Sequence, residues 1–533
     1  MSEWSASESE RRTHEEGFTG GFNPWVVALT VTLATFMEVL DTSIANVSLP
    51  HIAGSLSAGQ DESTWVLTSY LMSNAVILPV SGWLATRFGR KRFYMACVTL
   101  FTISSFLCGI APNLGSLIFF RVLQGLGGGG LAPSEQAILA DTFPPAKRGM
   151  AFAVYGMAVV LAPAIGPTLG GFITDTYSWR WVFFINVPVG VISLILSQRV
   201  VQDPPHLAEM RKRVGPVDYI GLGLIALGLG SLEVVLDTGQ QKDWFASRTI
   251  TFYAIVAAVA LISFVIWEWR NEHPVVEVRM FRDRNFAVSN LMMLVLGMAL
   301  YGSTVLLPQY VQVWLGWSAQ DAGMALSPGG LTVICLLPLV GRLITRVDAR
   351  YLIAFGFTVL SIALYHMSRT IYPGIDFHTA MMLRIYQSVG LAFLFVPINT
   401  IGYAGVPPSK SNQVSGILNL SRNMGGDIGI SLVTTMIARR SQWHQANLVA
   451  NVRPGDPLLV ERLQGIAQYL QHEGVSALQS TKLATAAIYR QVTVQAQTLA
   501  YLDVLFVLAC FTAVMVPFVL LTRRAAGGPA MAH

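Results

Sequence analysis

Hydrophobic and polar positions alternate along this chain on the scale of whole helices. Fourteen apolar runs fall at about 25–49, 64–84, 93–111, 115–138, 150–174, 181–199, 217–236, 249–269, 287–310, 321–344, 351–369, 378–402, 412–437 and 499–522. Each is long enough to cross a hydrocarbon core of ~30 Å. The expected fold class is an all-α polytopic membrane protein with 14 transmembrane helices.

The polar breaks between the runs carry the topology. One set holds Arg87–Arg92, Lys147 and Arg148, Arg211–Arg213, Arg279 with Arg282 and Arg284, Arg346 with Arg350, Lys410, and Arg523 with Arg524. The alternate set holds Asp61 and Glu62, a neutral turn near 112–114, Asp175 with Arg180, and a stretch at 311–320 without basic residues. Cytoplasmic loops carry an excess of Lys and Arg, so the first set is expected inside, with both termini cytoplasmic and an even number of spans. Only the outer connection 438–498 is long. It contains Arg439, Arg440, His444, a break at Pro454-Gly455 and a helical-looking run from Leu458 to Gln497. It reads either as a solvated hairpin or as a docking surface for a partner outside the membrane.

Composition agrees with the pattern, since 53% of residues are hydrophobic and 12% charged, which excludes an ordinary soluble domain. The net charge of +5 follows from the loop cations and calls for no nucleic acid. Residues 1–22 are polar and lack the basic start and cleavage site of a secretory signal, so the first run is expected to stay as a span. Cys97, Cys108, Cys335 and Cys510 all lie inside apolar runs, where they read as small hydrophobes, neither a disulfide set nor a metal site.

The chain also repeats itself. Gly82–Arg87 closes the second run as Gly341–Arg346 closes the tenth, and Arg121-Val122-Leu123-Gln124 opens the fourth as Arg384-Ile385-Tyr386-Gln387 opens the twelfth. Two matches in order, at offsets of 259 and 263 residues, predict a duplicated six-helix bundle with two extra helices inserted between the halves. The expected divisions are a cytoplasmic tail at 1–22, an N-terminal bundle at 23–200, two inserted helices at 201–285, a C-terminal bundle at 286–524 and a tail at 525–533.

Candidate chemistry starts in the first span. Glu38 and Asp41 stand about 60° apart on one helical face that Ala45 and Ser48 continue. A charge at mid-membrane is costly enough to require a partner or a water-filled cavity. The alternative is that these acids lie near a helix end and reach the headgroups. Arg121 must also be paired, and Gln124, Gly128 and Glu135 fall on roughly its face. Desolvation favours the neutral carboxyl and a nearby guanidinium the charged one, so the Glu38–Asp41 pair is expected to carry a proton for which Arg121 competes.

Several motifs resemble a known family. The loop Gly82, Leu84, Ala85, Arg87, Gly89, Arg90, Lys91 resembles the signature of the major facilitator superfamily, with Thr86 in place of its acid. Arg121-x-x-Gln124-Gly125 followed by glycines resembles a motif of its proton-coupled members. Ala162, Pro163, Gly166, Pro167, Gly170 and Gly171 resemble its antiporter motif, with Ala162 replacing the first glycine. With Leu40–Pro50 and Trp179–Gly190, these are similar to the fourteen-span drug:proton antiporters of the EmrB/QacA branch.

The resemblance implies a major facilitator fold, two six-helix bundles plus two inserted helices. It also implies proton-coupled multidrug efflux by alternating access, driven by the proton motive force with no cofactor, in the bacterial inner membrane. Hydrophobic small molecules and protons are the expected cargo. A periplasmic adaptor protein and an outer-membrane channel are the expected partners, forming a tripartite pump. Glu38, Asp41, Arg121, Glu135 and Asp427 are the candidate proton-coupling residues. Asn46, Gln124, Tyr155, Tyr310, Arg384, Tyr386 and Gln387 are candidates for the substrate. Export of one metabolite class, such as a siderophore or fatty acid, is the alternative. A membrane enzyme is disfavoured, because the loops hold no metal-spaced cluster, no Gly-x-Ser-x-Gly and no phosphate-binding loop.

Overall fold

The computed structural model describes residues 21–204, 207, 217–404, 406, 410–453 and 455–523. The tail before residue 21, the basic trio Arg211, Lys212 and Arg213, Pro454 and the tail from Arg524 onward lie outside the described residues. Among the described residues the chain is helical throughout, with no strand.

The N-terminal half comprises α1 (Pro24–Ser55), α2 (Trp65–Phe88), α3 (Arg90–Gly109), α4 (Leu114–Gly128), α5 (Leu131–Thr142), α6 (Pro145–Thr176) and α7 (Asn186–Val200). Two helices follow, α8 (Tyr219–Thr238) and α9 (Arg248–Arg270). The C-terminal half comprises α10 (Arg284–Gln309), α11 (Ala319–Leu343), α12 (Ala349–Thr370), α13 (Phe377–Ala392), α14 (Phe395–Tyr403), α15 (Ser411–Ala450), α16 (Pro457–His472) and α17 (Ala477–Phe518). Polar side chains start many of them. Asn23, Asn113, Asp218, Asp283, Ser318, Asp348 and Asp376 each accept a first-turn backbone N–H, satisfying a donor that has no partner within the helix.

Packing repeats between the halves. α1 packs on α6 and α7, α2 on α4, and α3 on α4 and α7. In the same way α10 packs on α15 and α17, α11 on α13, and α12 on α13 and α17. The fourth and twelfth apolar runs are both broken in the middle, at Gly129-Gly130 and at Phe393-Leu394. The α8–α9 hairpin stands outside this scheme. α8 touches α2 of one half and α15 of the other, while α9 leaves Phe252, Ile255, Val259 and Ile262 exposed, as a lipid-facing helix would.

Among the described residues eleven helical stretches are long and apolar enough to cross a membrane, or twelve with α6, which bends by 45° between Pro163 and Thr168. The expected count of fourteen is therefore not reached on length and composition. The runs at 64–84 and 412–437 do form helices, α2 and α15. Their buried polar residues (Ser69, Ser73 and Asn74 on α2; Ser415, Asn419 and Arg422 on α15) face other helices and dilute the apolar character that lipid contact requires.

The basic connections gather at one end. There Arg90 reaches Asp141 and Ser411, Lys410 pairs with Glu277, and Arg350 donates to the Thr522 carbonyl. The two halves also meet there through glycines. A Cβ on Gly82 would lie 2.8 Å from the Gln413 Cα, and one on Gly341 3.0 Å from the Met150 Cα. At the opposite end α15 and α17 run on past the apolar core, so the long connection is mostly helical. The expected single helix from Leu458 to Gln497 is broken at Glu473–Ser476, where Gly474 takes a positive φ, and α16 folds back on α17. Leu463, Ile466 and Leu470 are its half-buried stripe, whereas Leu458 and Tyr469 are exposed.

The tightest crossing joins α10 and α15, where a Cβ on Gly425 would stand 2.0 Å from the Leu294 carbonyl oxygen and one on Gly297 equally close to that of Arg422. Backbone cannot move aside as a side chain does. Gly425→Val is expected to destabilise the C-terminal half by about 3 kcal/mol or more, read as a fall in melting temperature in detergent, while Gly171→Ala, whose Cβ meets nothing within 4 Å, leaves it unchanged.

Candidate functional site

α1 organises a ladder of buried polar groups. Asp41 is fully buried, and so is its partner Arg121 from α4, whose Nη1 donates to Asp41 Oδ2 at 2.6 Å. Gln124 Nε2 and Asn186 Nδ2 donate to Asp41 Oδ1 at 3.1 and 2.6 Å. The guanidinium also donates to Gln124 Oε1 at 2.8 Å and, through Nε, to the Val66 carbonyl at 3.0 Å, and it lies 4.2 Å from the Tyr70 ring centroid. Ser105 supports the cluster, accepting from Asn186 and donating to the Phe183 carbonyl. The carboxylate thus has a full set of charge-assisted donors, the arrangement that stabilises an ionised group away from water.

Glu38, one turn along, is held differently. Its Oε1 accepts from Tyr70 Oη at 2.8 Å and Asn74 Nδ2 at 3.2 Å, and the residue is only partly buried. Gly128 makes room for it, since a Cβ there would meet Tyr70 Oη at 2.5 Å and Glu38 Cγ at 3.3 Å. Among the described residues no cation is in hydrogen-bond contact with Glu38. Arg422 of α15, in the opposite half, is close enough to act on its charge, and is itself held by Tyr155 Oη at 3.1 Å. Of the two acids, Arg121 hydrogen-bonds Asp41. The physical reason is rotation: 100° per residue turns Asp41 toward α4 and α7 while Glu38 looks across α2.

Glu135 was expected on the face of Arg121. Both side chains do turn to α1, Arg121 to Asp41 and Glu135, beyond the break at Gly129-Gly130, to Thr32, from which it accepts at 2.5 Å, with its Oε2 unpartnered among the described residues. The Glu135 contact at Thr32 and then Glu38 and Asp41 thus step along α1 away from the basic end. Ser48 turns instead to Thr174 of α6, 2.9 Å away.

The antiporter-like segment of α6 packs on the other side of α1. Cβ atoms on Gly166 and Gly170 would meet Ser43 Oγ at 2.2 Å and Ile44 Cγ2 at 3.0 Å. Ala162 is buried, Pro163 gives its carbonyl to Ser43, and Gly171 faces open space. Pro167 lies in the bent stretch, and its side chain falls outside the described residues. In the loop motif, Gly89 takes φ +93 between α2 and α3, which favours glycine. Lys91 binds the Gln198 carbonyl, Arg87 lies over Trp83, and Arg90 is buried in an ion pair with Asp141 of α5 at 2.5 Å. Thr86 donates to the Gly82 carbonyl within its own helix, so the acid paired with this loop comes from another helix, a partner that loop spacing does not reveal.

The remaining candidates scatter. Tyr155 lies at the seam between halves, stacked on Phe395 and donating to Asn419, which in turn donates to Gln136 of α5. Arg384 donates to Gln387 and Thr304, and Gln387 donates to Ser303. Tyr310 hydrogen-bonds Thr498 within the C-terminal half. Asn46 and Tyr386 are exposed, on helix faces turned away from these clusters. Asp427 is not near Arg422's bonds; it faces Glu233 and Asp237 of α8, the latter bonded to Thr68 of α2. Glu233 and Asp237 were missed because α8 reads as a packing helix. Two acids one turn apart in an apolar run, at 233 and 237, were the available signal.

The fold and this buried charge ladder define a multi-span membrane transporter. Residues 31–430 match the Major Facilitator Superfamily, and the chain belongs to that family, whose members are transporters and not enzymes. It is 36% identical over 511 residues to the Multidrug export protein EmrB of Escherichia coli (strain K12), covering 95% of this chain and 98% of that one. It is 38% identical over 465 residues to the Fatty acid resistance protein FarB of Neisseria gonorrhoeae, covering 87% and 90%. Among solved structures, the proton:xylose symporter XylE bound to 6-bromo-6-deoxy-D-glucose superposes with a TM-score of 0.61 at 13% identity, covering 94% of this chain and 96% of that one, which shows the fold. The chain is an efflux transporter of this superfamily.

Removing one partner of the buried pair strands the other charge. Asp41→Asn and Arg121→Gln are each expected to cost about 3–5 kcal/mol. The double variant is expected to cost less than the sum, a coupling read from melting temperatures in a double-mutant cycle.

Proposed function

We propose that this transporter exports hydrophobic or amphipathic compounds in exchange for protons. The two halves rock by alternating access, and the basic end faces the cytoplasm of a bacterial inner membrane. The observation that carries this reading is the contrast between the two acids on α1. Asp41 is saturated by Arg121, Gln124 and Asn186. Glu38 is partly open and faces a cation of the opposite half, Arg422. Glu38 is then the group that gains and loses the proton, and Asp41 with Arg121 fixes α1 to α4 around it. Losing the proton strengthens the attraction between Glu38 and Arg422 and draws the halves together; gaining it releases them. Glu135 extends the path toward the basic end. The proton motive force supplies the energy, and no cofactor enters.

Inverted vesicles loaded by a pH gradient test this directly. Glu38→Gln is expected to abolish gradient-driven accumulation of ethidium while ethidium still binds the purified protein. Gradient-driven accumulation at the wild-type rate would remove Glu38 from the proton path.

The relatives include a multidrug export protein, and the folded hairpin of α16 with the outer parts of α15 and α17 offers a surface outside the membrane. We assign to it the docking of a periplasmic adaptor that leads to an outer-membrane channel. Deleting 445–490 is expected to abolish recovery of the co-expressed adaptor in a pull-down while the remaining chain still elutes as one species. Undiminished recovery would place docking elsewhere.

A further inference from the structure

A cavity at the basic end of the seam has no part in the proton exchange. It lies where α6 of the N-terminal half crosses α11 of the C-terminal half, beside the start of α1, and its volume is about 630 Å³. That is room for a group of drug size. The crossing behind it is tight: a Cβ on Gly149 would lie 2.4 Å from Ile344 Cγ2, and one on Gly341 would press on Met150.

Three cations surround the cavity, and they come from both halves. Lys147 is in the first turn of α6, Arg342 is in the last turn of α11, and Arg346 follows one turn later. All three are exposed, and no side chain or carbonyl among the described residues accepts from them. No carboxylate among those residues lines the cavity. Other cations of this end are taken: Arg90 by Asp141, Lys410 by Glu277 and Arg350 by Asp348. Arg342 and Arg346 repel each other across one turn, and Lys147 adds a like charge from the opposite wall. Membrane orientation asks only for cations in these connections; it does not ask that they converge, unneutralised, on one cavity.

The rest of the wall is largely apolar, with Trp25, Leu339 and Leu343 among its residues. Leu339 continues a stripe on α11 that starts at Leu331 and Cys335, all three exposed and spaced by four residues, and Arg342 and Arg346 end that stripe. In a membrane such a stripe lies against acyl chains, and its basic end lies among headgroups. Trp25 is also exposed, at the depth where tryptophan rings settle, and its indole N–H has no acceptor among the described residues.

We propose that this cavity binds the headgroup of an anionic phospholipid of the cytoplasmic leaflet. The phosphate bridges Lys147 of one half to Arg342 and Arg346 of the other, and an acyl chain lies along Leu339, Cys335 and Leu331. Arginine forks match phosphate oxygens, and anionic headgroups populate that leaflet. A bound headgroup turns repulsion across the seam into attraction and so holds this end closed. Free phosphate carries the charge but gains nothing from the apolar stripe. The choice of leaflet rests on the basic end facing the cytoplasm; the binding itself rests on neither the cargo nor the proton path.

Native mass spectrometry of the purified full chain, released from dodecyl maltoside with increasing dioleoyl phosphatidylglycerol, counts bound lipids without any gradient. Wild type is expected to hold a first phosphatidylglycerol at least about tenfold more tightly than dioleoyl phosphatidylcholine, whose tails are the same. Lys147→Gln and the double variant Arg342→Gln/Arg346→Gln are each expected to lose about tenfold in that affinity, because each half supplies part of the grip. Arg346→Lys, which keeps the charge, is expected to retain most of it. Arg199→Gln removes an exposed cation of the same end that does not line the cavity, and is expected to bind as wild type does. Melting temperatures within a few degrees of wild type, taken without lipid, establish that the variants are folded. Equal retention of phosphatidylcholine, displacement of the lipid by inorganic phosphate at equal concentration, or undiminished binding in either cavity variant would each overturn the proposal. A loss in Arg199→Gln as large as in Lys147→Gln would also overturn it, by showing attraction to the basic end at large.

Discussion

The ion pair of Arg121 and Asp41 is the constraint on which the N-terminal half is arranged. Neither charge meets water, and each is tolerable because the other is 2.6 Å away, with Gln124 and Asn186 donating to the carboxylate and the Val66 carbonyl accepting from the guanidinium Nε. Those groups come from α1, α2, α4 and the start of α7, so one electrostatic requirement fixes four helices relative to one another. The orientation of α1 sends Glu38 across toward α2 and the opposite half. The small residues of α6 matter for the same reason, since Gly166 and Gly170 let α1 lie close enough for its acids to stand inward.

The seam between halves is built on a different principle. It is lined at the basic end by glycines and short polar bonds: Gly82 against Gln413, Gly341 against Gly149 and Met150, and Ser415 on the Pro133 carbonyl. Aromatic contacts join them, Tyr155 stacked on Phe395 and Phe152 against Tyr403, so the seam buries apolar as well as polar groups. The inserted α8 bridges both halves through Thr68 and Asp427 without joining either bundle.

Most of the architecture was legible because lipid imposes a simple rule on helix length and composition. The rule fails where polar residues face protein, as on α2 and α15, whose buried Ser69, Asn74, Asn419 and Arg422 make them look less like spans. Helical periodicity brought Glu38, Asp41, Arg121, Gln124 and Glu135 to one neighbourhood around α1, yet it could not say that Arg121 meets Asp41 while Glu135 meets Thr32 a few turns away. Partners brought by other helices, such as Asn186, Asp141 and Tyr70, were not legible as partners. Nothing in local sequence encodes which distant side chain meets a buried charge. The same limit hid Glu233 and Asp237, whose meaning depends on α8 lying against Asp427.

One further consequence follows from the length of α15 and α17. Each is a single helix of 40 and 42 residues, about 60 Å from end to end, and they are pinned together where they leave the apolar region by Arg440 and His444 on Asp503. A pair of stiff rods so clamped acts as a lever. A tilt of roughly 10° at mid-membrane moves the outer tip by several ångströms, on the order of the length beyond the pivot times the angle. The hairpin is therefore carried on the far ends of the same two helices, so that any change in their tilt is transmitted to it without a contact of its own.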